Sequence, residues 1–273
     1  MNTLRGALRF SAMMLFAVYI YLLALFCLLW LPVKKKEGIL NFHARMMMAI
    51  LGIGARIEGK VEPGTALGIA NHVSFVDIVL LYIAHPGRFV AKKEIASWPV
   101  IGTITKGTDT LFIDRKNNRS ILGVNAAIAA SLKAKEDVYV FAEGRTGDGT
   151  KLLPFKSNLF QPAVDTGSDI QPVALCYEYG GKLTDKASYC SKNLLKCLWD
   201  IVTTPGITAT IKVLAPIKTA GKNRHQLARE ASAAMAAAMG VDDPLSLKVL
   251  PETPHEASLE ALGKTEAGAP EKV

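Results

Sequence analysis

The sequence has few cysteines, and none of them indicates a cross-linked or metal-bound domain. Among 273 residues there are four, Cys27, Cys176, Cys190 and Cys197, and no two stand at the spacing of a disulfide framework or a zinc site. The His-Glu-x-x-His pattern of zinc proteases is missing too. We therefore expect neither structural disulfides nor a metal centre.

Motifs that present a protein nucleophile or a phosphate-binding loop are also missing. No Gly-x-Ser-x-Gly elbow offers a serine for acylation. The Gly-Lys-Thr at residues 263–265 lacks the earlier glycine of a phosphate loop, because Ser258 occupies that place. An enzyme with this sequence has to take its nucleophile, a hydroxyl group or water, from the substrate.

Acidic residues are outnumbered, 24 against 32 lysines and arginines, which gives a formal net charge of +8. Such a chain could bind nucleic acid or anionic lipid. No RNA- or DNA-binding motif is present, so we expect no nucleic-acid partner. The lysines at 34–36 follow a long apolar segment, which favours lipid headgroups as the partner.

Charge is absent altogether from the 24 residues between Arg9 and Lys34, FSAMMLFAVYIYLLALFCLLWLPV. As a helix this run would be about 36 Å long, enough for a bilayer core of about 30 Å. A signal peptide would be shorter and followed by a small-residue cleavage site, which LPVKKKEG does not offer. A helix buried inside a soluble domain is the other alternative. We predict a membrane anchor, with spanning and single-leaflet insertion both open.

Cations are distributed unevenly around this run. Arg5 and Arg9 precede it, whereas the lysines at 34–36 and Arg45 follow it. The excess behind the run favours a main domain on the cytoplasmic side of the cell (inner) membrane.

Strand-like and helix-like segments alternate in the rest of the chain. Short apolar runs predict strands in TALGIA, GRFVA, TDTLFID, DVYVFA, DIQPVALCY and ITATIKVLAP. Between them, residues 77–84, 119–135 and 224–239 have helical patterns. This alternation predicts an α/β fold with a central, mostly parallel sheet flanked by helices, preceded by the N-terminal hydrophobic membrane helix.

Composition divides the chain into three parts. Residues 1–55 would hold the anchor and a second helix, interfacial or core-facing, that ends at Gly52 and Gly54. Residues 56–250 would form the α/β domain, including an amphipathic insertion, ASYCSKNLLKCLWDIVTTPG. Residues 251–273 are rich in Pro, Glu, Ala, Gly and Lys, which predicts a disordered tail.

Two polar residues that are costly to bury stand between apolar runs in GIANHVSFVDIVL, residues 68–80. His72 lies on the predicted loop after a strand, and Asp77 lies near the start of the next helix, which Ser74 can cap. A carboxylate on one ring nitrogen fixes the tautomer and makes the other nitrogen more basic. The pair could therefore be a general base, although loop histidines often only bind the backbone.

Two further strand ends carry charged groups. One strand ends with Asp114 and Arg115, and another is followed by Glu143, Gly144, Arg145, Thr146 and later Lys156. Guanidinium groups bind phosphate through paired hydrogen bonds, and glycines let the backbone approach a ligand. Surface ion pairs on solvated loops are the alternative for each.

Four segments, NHVSFVD, LFIDR, FAEGRTGDG…LLPFK and IQPVAL, occur in the order of the four signature blocks of the glycerolipid acyltransferases. The chain resembles this family, the lysophosphatidic acid acyltransferases and their relatives, over residues 66–216. The resemblance implies that His72 deprotonates the acceptor hydroxyl and Asp77 orients it. The hydroxyl would attack the thioester of acyl-CoA or acyl carrier protein directly, with no other cofactor.

The resemblance further implies that Arg115, the block from Glu143 to Thr146, and Lys156 bind the acceptor's polar head. The family's third block usually reads Glu-Gly-Thr-Arg, and here Arg145 and Thr146 are exchanged. Lysophosphatidic acid is the expected acceptor, and a lyso-ornithine lipid or another lysophospholipid is the alternative. A hydrolase that uses the same His–Asp pair on a thioester or lipid ester is an alternative of another class.

Overall fold

The computed structural model describes residues 2–61, 66–114, 118–190 and 192–246. Within these ranges eight strands form one sheet: β1 (Gly54–Glu58), β2 (Ala66–Ala70), β3 (Arg88–Lys92), β4 (Leu111–Ile113), β5 (Val138–Phe141), β6 (Asp169–Tyr179), β7 (Lys182–Leu183) and β8 (Ile207–Val213). The α-helices are α1 (Asn2–Phe26), α2 (Val33–Leu51), α3 (Val76–Ala84), α4 (Ile101–Gly107), α5 (Asn118–Lys133), α6 (Gln161–Thr166), α7 (Leu194–Thr203) and α8 (Arg224–Met239). Short 3-10 helices cover Leu28–Trp30, Lys93–Ser97 and Ser157–Phe160. The predicted tail, 251–273, and Arg115 lie outside the described residues.

The strand order is β1-β8-β6-β2-β5-β3-β4, with β7 paired to β6. Strand β2 lies between β6 and β5 and is parallel to both, so that Ala70 is level with Val173 and with Phe141. The β6–β8 and β6–β7 pairs are antiparallel, and the other pairs are parallel. The predicted α/β fold with a mostly parallel sheet is confirmed. The residues that follow β2 and β5 therefore leave the sheet at one edge.

Helices cover both faces of this sheet. One core contains residues of α1, α2, α3 and α7, and the other contains residues of α5, α6 and α8. Strand β6 contributes side chains alternately to the two cores. Val173, Leu175 and Tyr177 point to the first core, whereas Ala174 and Cys176 point to the second.

The N-terminal helix α1 is packed along the domain on one of its sides. Met13 and Phe16 are buried in the first core, and the ring of Phe10 lies edge-on to Trp199 of α7 with 5.6 Å between centroids. Apolar residues on the opposite side are exposed: Leu15 is 73% exposed and Phe26 is 75% exposed. Within the described residues, Thr3–Trp30 is the one helical segment long and apolar enough to cross a membrane.

Helix α2 ends where the glycines predicted. Gly52 has φ +72°, in the left-handed region, and its N–H bonds the carbonyls of Met48 and Ala49. The guanidinium of Arg9, from α1, lies against this glycine. Strand β1 begins two residues later, at Gly54, slightly before the predicted start of the α/β domain at residue 56. The division into three parts otherwise stays a prediction.

Candidate active site

Asp77 is the most completely bonded acid of the site. It lies in the first turn of α3 and is fully buried. Its Oδ2 accepts from the backbone N–H groups of Val73, at 2.6 Å, and Ser74, at 2.9 Å, and it contacts Nδ1 of His72 at 2.7 Å. Its Oδ1 accepts from the hydroxyl of Tyr177 at 2.5 Å. The two backbone amides can only donate, so the carboxylate is the acceptor in these contacts.

The imidazole of His72 is fixed on two sides. Because an ionised carboxylate can only accept, Nδ1 is the nitrogen that carries the proton, which leaves Nε2 with a free lone pair. The ring stacks on Phe141 with centroids 4.1 Å apart and 17° between planes. The side chain keeps 23% of its surface exposed. The ring is thus held rigidly yet can be reached by a substrate.

Glu143 connects the two loops that leave β2 and β5. Its Oε2 accepts from the backbone N–H of His72 and its Oε1 from that of Leu153, both at 2.8 Å. The residue is only 3% exposed. Burial raises the pKa of Glu143 to about 7, against the opposing effect of its two backbone bonds. This carboxylate holds the backbone at His72 in place.

Further backbone contacts fix the loop that carries the histidine. The carbonyl of His72 accepts from the N–H of Gly147 at 2.6 Å, and the carbonyl of Gly147 accepts from the hydroxyl of Ser188 at 2.9 Å. The side chain of Asn71, also buried, exchanges two hydrogen bonds with the backbone of Leu175. Segments from three parts of the chain therefore position one imidazole.

The chain is similar to several known acyltransferases. A family model described as Acyltransferase matches residues 55–176. A 1-acyl-sn-glycerol-3-phosphate acyltransferase of Neisseria meningitidis serogroup B is 37% identical over 183 residues, which cover 66% of this chain and 71% of the relative. A lyso-ornithine lipid O-acyltransferase of Pseudomonas aeruginosa is 32% identical over 205 residues, 75% of this chain and 79% of the relative.

The chain belongs to this acyltransferase family. The crystal structure of the 1-acyl-sn-glycerophosphate acyltransferase PlsC from Thermotoga maritima has the same fold. It superposes with a TM-score of 0.67 and 19% identity, over 92% of this chain and all of the other. The resemblance drawn from the four signature segments is confirmed.

The acyltransferase signature after β5 forms a turn beside the histidine. Gly144 has φ +69°, and the side chain of Lys156 lies over it, since a Cβ at Gly144 would be 3.4 Å from Lys156 Cγ. Arg145 is exposed and Thr146 is half-buried. The backbone N–H of Lys156 bonds the carbonyl of Ala142 at 2.8 Å, which closes the turn. Two cations of the predicted head-group set, Arg145 and Lys156, are thus presented at the surface next to Glu143.

The segment that follows strand β4 is only partly described. Arg115 lies outside the described residues, and its predicted role stays a prediction. Asp114 forms an ion pair with Lys93, which follows β3. Because β3 is parallel to β5 and to β4, Lys92 and Lys93 lie at the same sheet edge as His72. These two lysines were not predicted as site residues, although their position directly after the predicted strand GRFVA was a usable signal.

Sequence reasoning also missed three residues that hold His72 and Asp77 in place: Asn71, Phe141 and Tyr177. Asn71 precedes the histidine within the predicted loop, and its polarity at a buried position was the available signal. Phe141 and Tyr177 stand on strands far along the chain, where nothing local connects them to His72. For Glu143 the contacts place both oxygens on backbone N–H groups, so positioning is the function they support. Its contact with the acceptor stays a prediction.

Proposed function

We propose that this protein is a 1-acyl-sn-glycerol-3-phosphate O-acyltransferase, which moves a fatty acyl group from a thioester to the free hydroxyl of lysophosphatidic acid. The main support is the 2.7 Å contact of His72 Nδ1 with the buried carboxylate of Asp77. It leaves Nε2 of a partly exposed imidazole as the base. Two similar proteins of Neisseria are named 1-acyl-sn-glycerol-3-phosphate acyltransferase, and this supports lysophosphatidic acid as the acceptor.

The transfer needs one base and no protein nucleophile. Nε2 of His72 accepts the proton of the acceptor hydroxyl while the hydroxyl oxygen attacks the thioester carbonyl carbon. The carbon–sulfur bond then breaks, and the proton passes from Nε2 to the leaving thiolate. Asp77 stabilises the imidazolium between these two steps. The products are the esterified lipid and the free thiol of CoA or of acyl carrier protein.

The acceptor's phosphate would bind the cations beside this base. Arg145 and Lys156 are exposed next to Gly144, and Arg115 follows β4 in sequence. The fork of a guanidinium suits a phosphate monoester, which carries more charge than the carboxylate of an ornithine headgroup. Relatives named as lyso-ornithine lipid O-acyltransferases make that lipid the second candidate acceptor.

The substrates explain the N-terminal helix. Both the acceptor and the product belong to a bilayer, and the apolar outer side of α1 would contact lipid there. The thioester donor would arrive from the water. We place the protein at the inner membrane with its catalytic domain on the cytoplasmic side, because that is where acyl-CoA and acyl carrier protein are found.

The test is a transfer assay with purified full-length protein in detergent, one acyl-CoA, and either lysophosphatidic acid or lyso-ornithine lipid. We expect acyl transfer to lysophosphatidic acid, reduced by about 10²–10⁴-fold in His72→Ala. The control, His225→Ala, alters a histidine of α8 on the other face of the sheet and should keep full activity. Release of free fatty acid at full rate without acceptor would instead identify a hydrolase.

A further inference from the structure

The two oxygens of the Asp77 carboxylate have unequal surroundings. Oδ2 has three partners, His72 Nδ1 and the backbone N–H groups of Val73 and Ser74, all within 2.9 Å. Among the described residues, Oδ1 has a single hydrogen-bond partner, the hydroxyl of Tyr177 at 2.5 Å. An aspartate carboxylate rotates readily about its terminal torsion angle. The partner of Oδ1 therefore decides whether Oδ2 stays on the histidine.

The position of Tyr177 follows from strand β6. Asn71 exchanges hydrogen bonds with the backbone of Leu175 at 2.7 and 3.0 Å, which fixes β6 beside the histidine loop. Side chains two residues apart on a strand point to the same face. Tyr177, two residues beyond Leu175, is therefore directed under α3, where its ring is fully buried. It lies one residue past the stretch that matches the family model, which ends at residue 176.

We infer that Tyr177 is a positioning residue of this enzyme, whose hydroxyl holds the Asp77 carboxylate against rotation so that Oδ2 remains on His72 Nδ1. The inference rests on the proposed function. The phenol is suited to this because it stays protonated: burial and the nearby Asp77 carboxylate keep the pKa of Tyr177 well above its ordinary value. The phenol can thus donate at any pH at which the enzyme works.

Loss of the hydroxyl would leave Oδ1 as a buried charged oxygen without a donor, a costly state. The carboxylate would then turn to share the Val73 and Ser74 amides between its two oxygens. That rotation takes Oδ2 away from Nδ1, and the imidazole loses the contact that selects its tautomer. The base would be present but no longer uniformly in its active form.

The test compares Tyr177→Phe with Tyr139→Phe in the full-length enzyme. Tyr139, on β5, is equally buried, but its hydroxyl has no hydrogen-bond partner within the described part of the chain. Both changes remove one buried hydroxyl and keep the ring. We expect Tyr177→Phe to lower kcat about 10- to 100-fold with the KM of both substrates unchanged, and Tyr139→Phe to keep wild-type kcat.

A double-mutant cycle separates positioning from general support of the fold. In an Asp77→Asn background the carboxylate is already lost, so Tyr177→Phe should lower kcat less than about 3-fold further. Full additivity of the two losses in kcat would overturn the inference. So would a Tyr177→Phe enzyme that changes only KM.

A spectroscopic measurement decides the matter without relying on turnover. With 15N-labelled histidine, and the His72 signal assigned through His72→Ala, we expect wild type and Tyr139→Phe to show the single tautomer protonated at Nδ1. Tyr177→Phe should show a mixture. An unchanged tautomer in Tyr177→Phe would overturn the inference, even if the enzyme transfers acyl groups. A protein inactive on every acceptor would contradict the proposed function alone, and the tautomer comparison would still stand.

Discussion

The backbone N–H of His72 donates to Oε2 of Glu143 at 2.8 Å, across 71 residues of sequence. The same carboxylate accepts from Leu153 through its other oxygen. Glu143 therefore joins the loop after β2 to the loop after β5 and places His72 beside the turn that carries Arg145. In this arrangement the glutamate of the third signature segment bonds the backbone of the loop that carries His72.

Replacing this glutamate by glutamine should lower activity with little loss of stability at pH 8. The amide keeps one acceptor oxygen, but its NH2 group must face one of two N–H donors, which displaces the backbone at His72. The desolvated charge is removed at the same time, and this offsets the lost hydrogen bond. We expect kcat of Glu143→Gln to fall about 10-fold, while Glu230→Gln, on the surface of α8, leaves it unchanged. An effect confined to the KM of the acceptor would instead indicate direct contact with the headgroup.

The raised pKa of Glu143 predicts that the stability of the protein depends on pH. Burial raises the pKa of Glu143 from 4.5 to about 7, so the folded protein holds this proton more tightly than the unfolded chain. Its contribution to the free energy of unfolding is complete below about pH 4.5 and is lost as pH rises towards 7. Urea unfolding of wild type and Glu143→Gln across this range should show their difference shrinking by about 1–3 kcal/mol. Parallel curves would contradict the raised pKa.

Arg145 should contribute to acceptor binding and hardly to donor binding. We expect Arg145→Ala to raise the KM for lysophosphatidic acid about 10-fold or more, because a charge-assisted bond to phosphate is lost, with the KM for acyl-CoA unchanged. Lys151→Ala is the matched control, since Lys151 is a 67% exposed cation of the same loop. Equal increases of both KM values would show that the exchanged order of Arg145 and Thr146 has moved the guanidinium away from the headgroup.

Features predicted correctly from the sequence are those whose partners lie close together in the chain. His72 and Asp77 are five residues apart, and a strand–loop–helix pattern was enough to bring them together. Gly52 ended a helical apolar pattern, and the structure ends α2 there. Strand β1 was missed because all five of its residues are exposed, so no alternation of buried and exposed positions marks it.

Long-range contacts were beyond a local pattern. Tyr177 reaches Asp77 across 100 residues, and nothing in CYEY separates this tyrosine from an ordinary core residue. The packing of α1 was equally hidden. Its residues are apolar on all sides, so the sequence did not reveal that Met13 and Phe16 would be buried while Leu15 stays exposed.

The contact of Arg9 with Gly52 should stabilise the junction of α1 and α2. Gly52 and Gly167 both end helices with left-handed φ, +72° and +68°, but only the first has the Arg9 guanidinium where a Cβ would be placed. A cation there also interacts favourably with the C-terminal end of α2. We expect Gly167→Ala to lower the free energy of unfolding by about 1 kcal/mol, and Gly52→Ala by about 1 kcal/mol more. In an Arg9→Ala background the two substitutions should lower the free energy of unfolding equally. A persistent difference between them would refute the role of the guanidinium.

The outer side of α1 should bind the bilayer through its exposed apolar residues. Leu15 of α1 and Leu122 of α5 are 73% and 70% exposed, so the same substitution perturbs the fold little at either place. An aspartate in the acyl-chain region costs about 2.5–3.5 kcal/mol, whereas one in water costs almost nothing. Co-sedimentation with vesicles of phosphatidylethanolamine and phosphatidylglycerol should therefore fall about 10-fold or more for Leu15→Asp and stay at the wild-type level for Leu122→Asp. If Leu122→Asp lost binding equally, or Leu15→Asp kept it, the membrane-facing side would have to lie elsewhere on the domain.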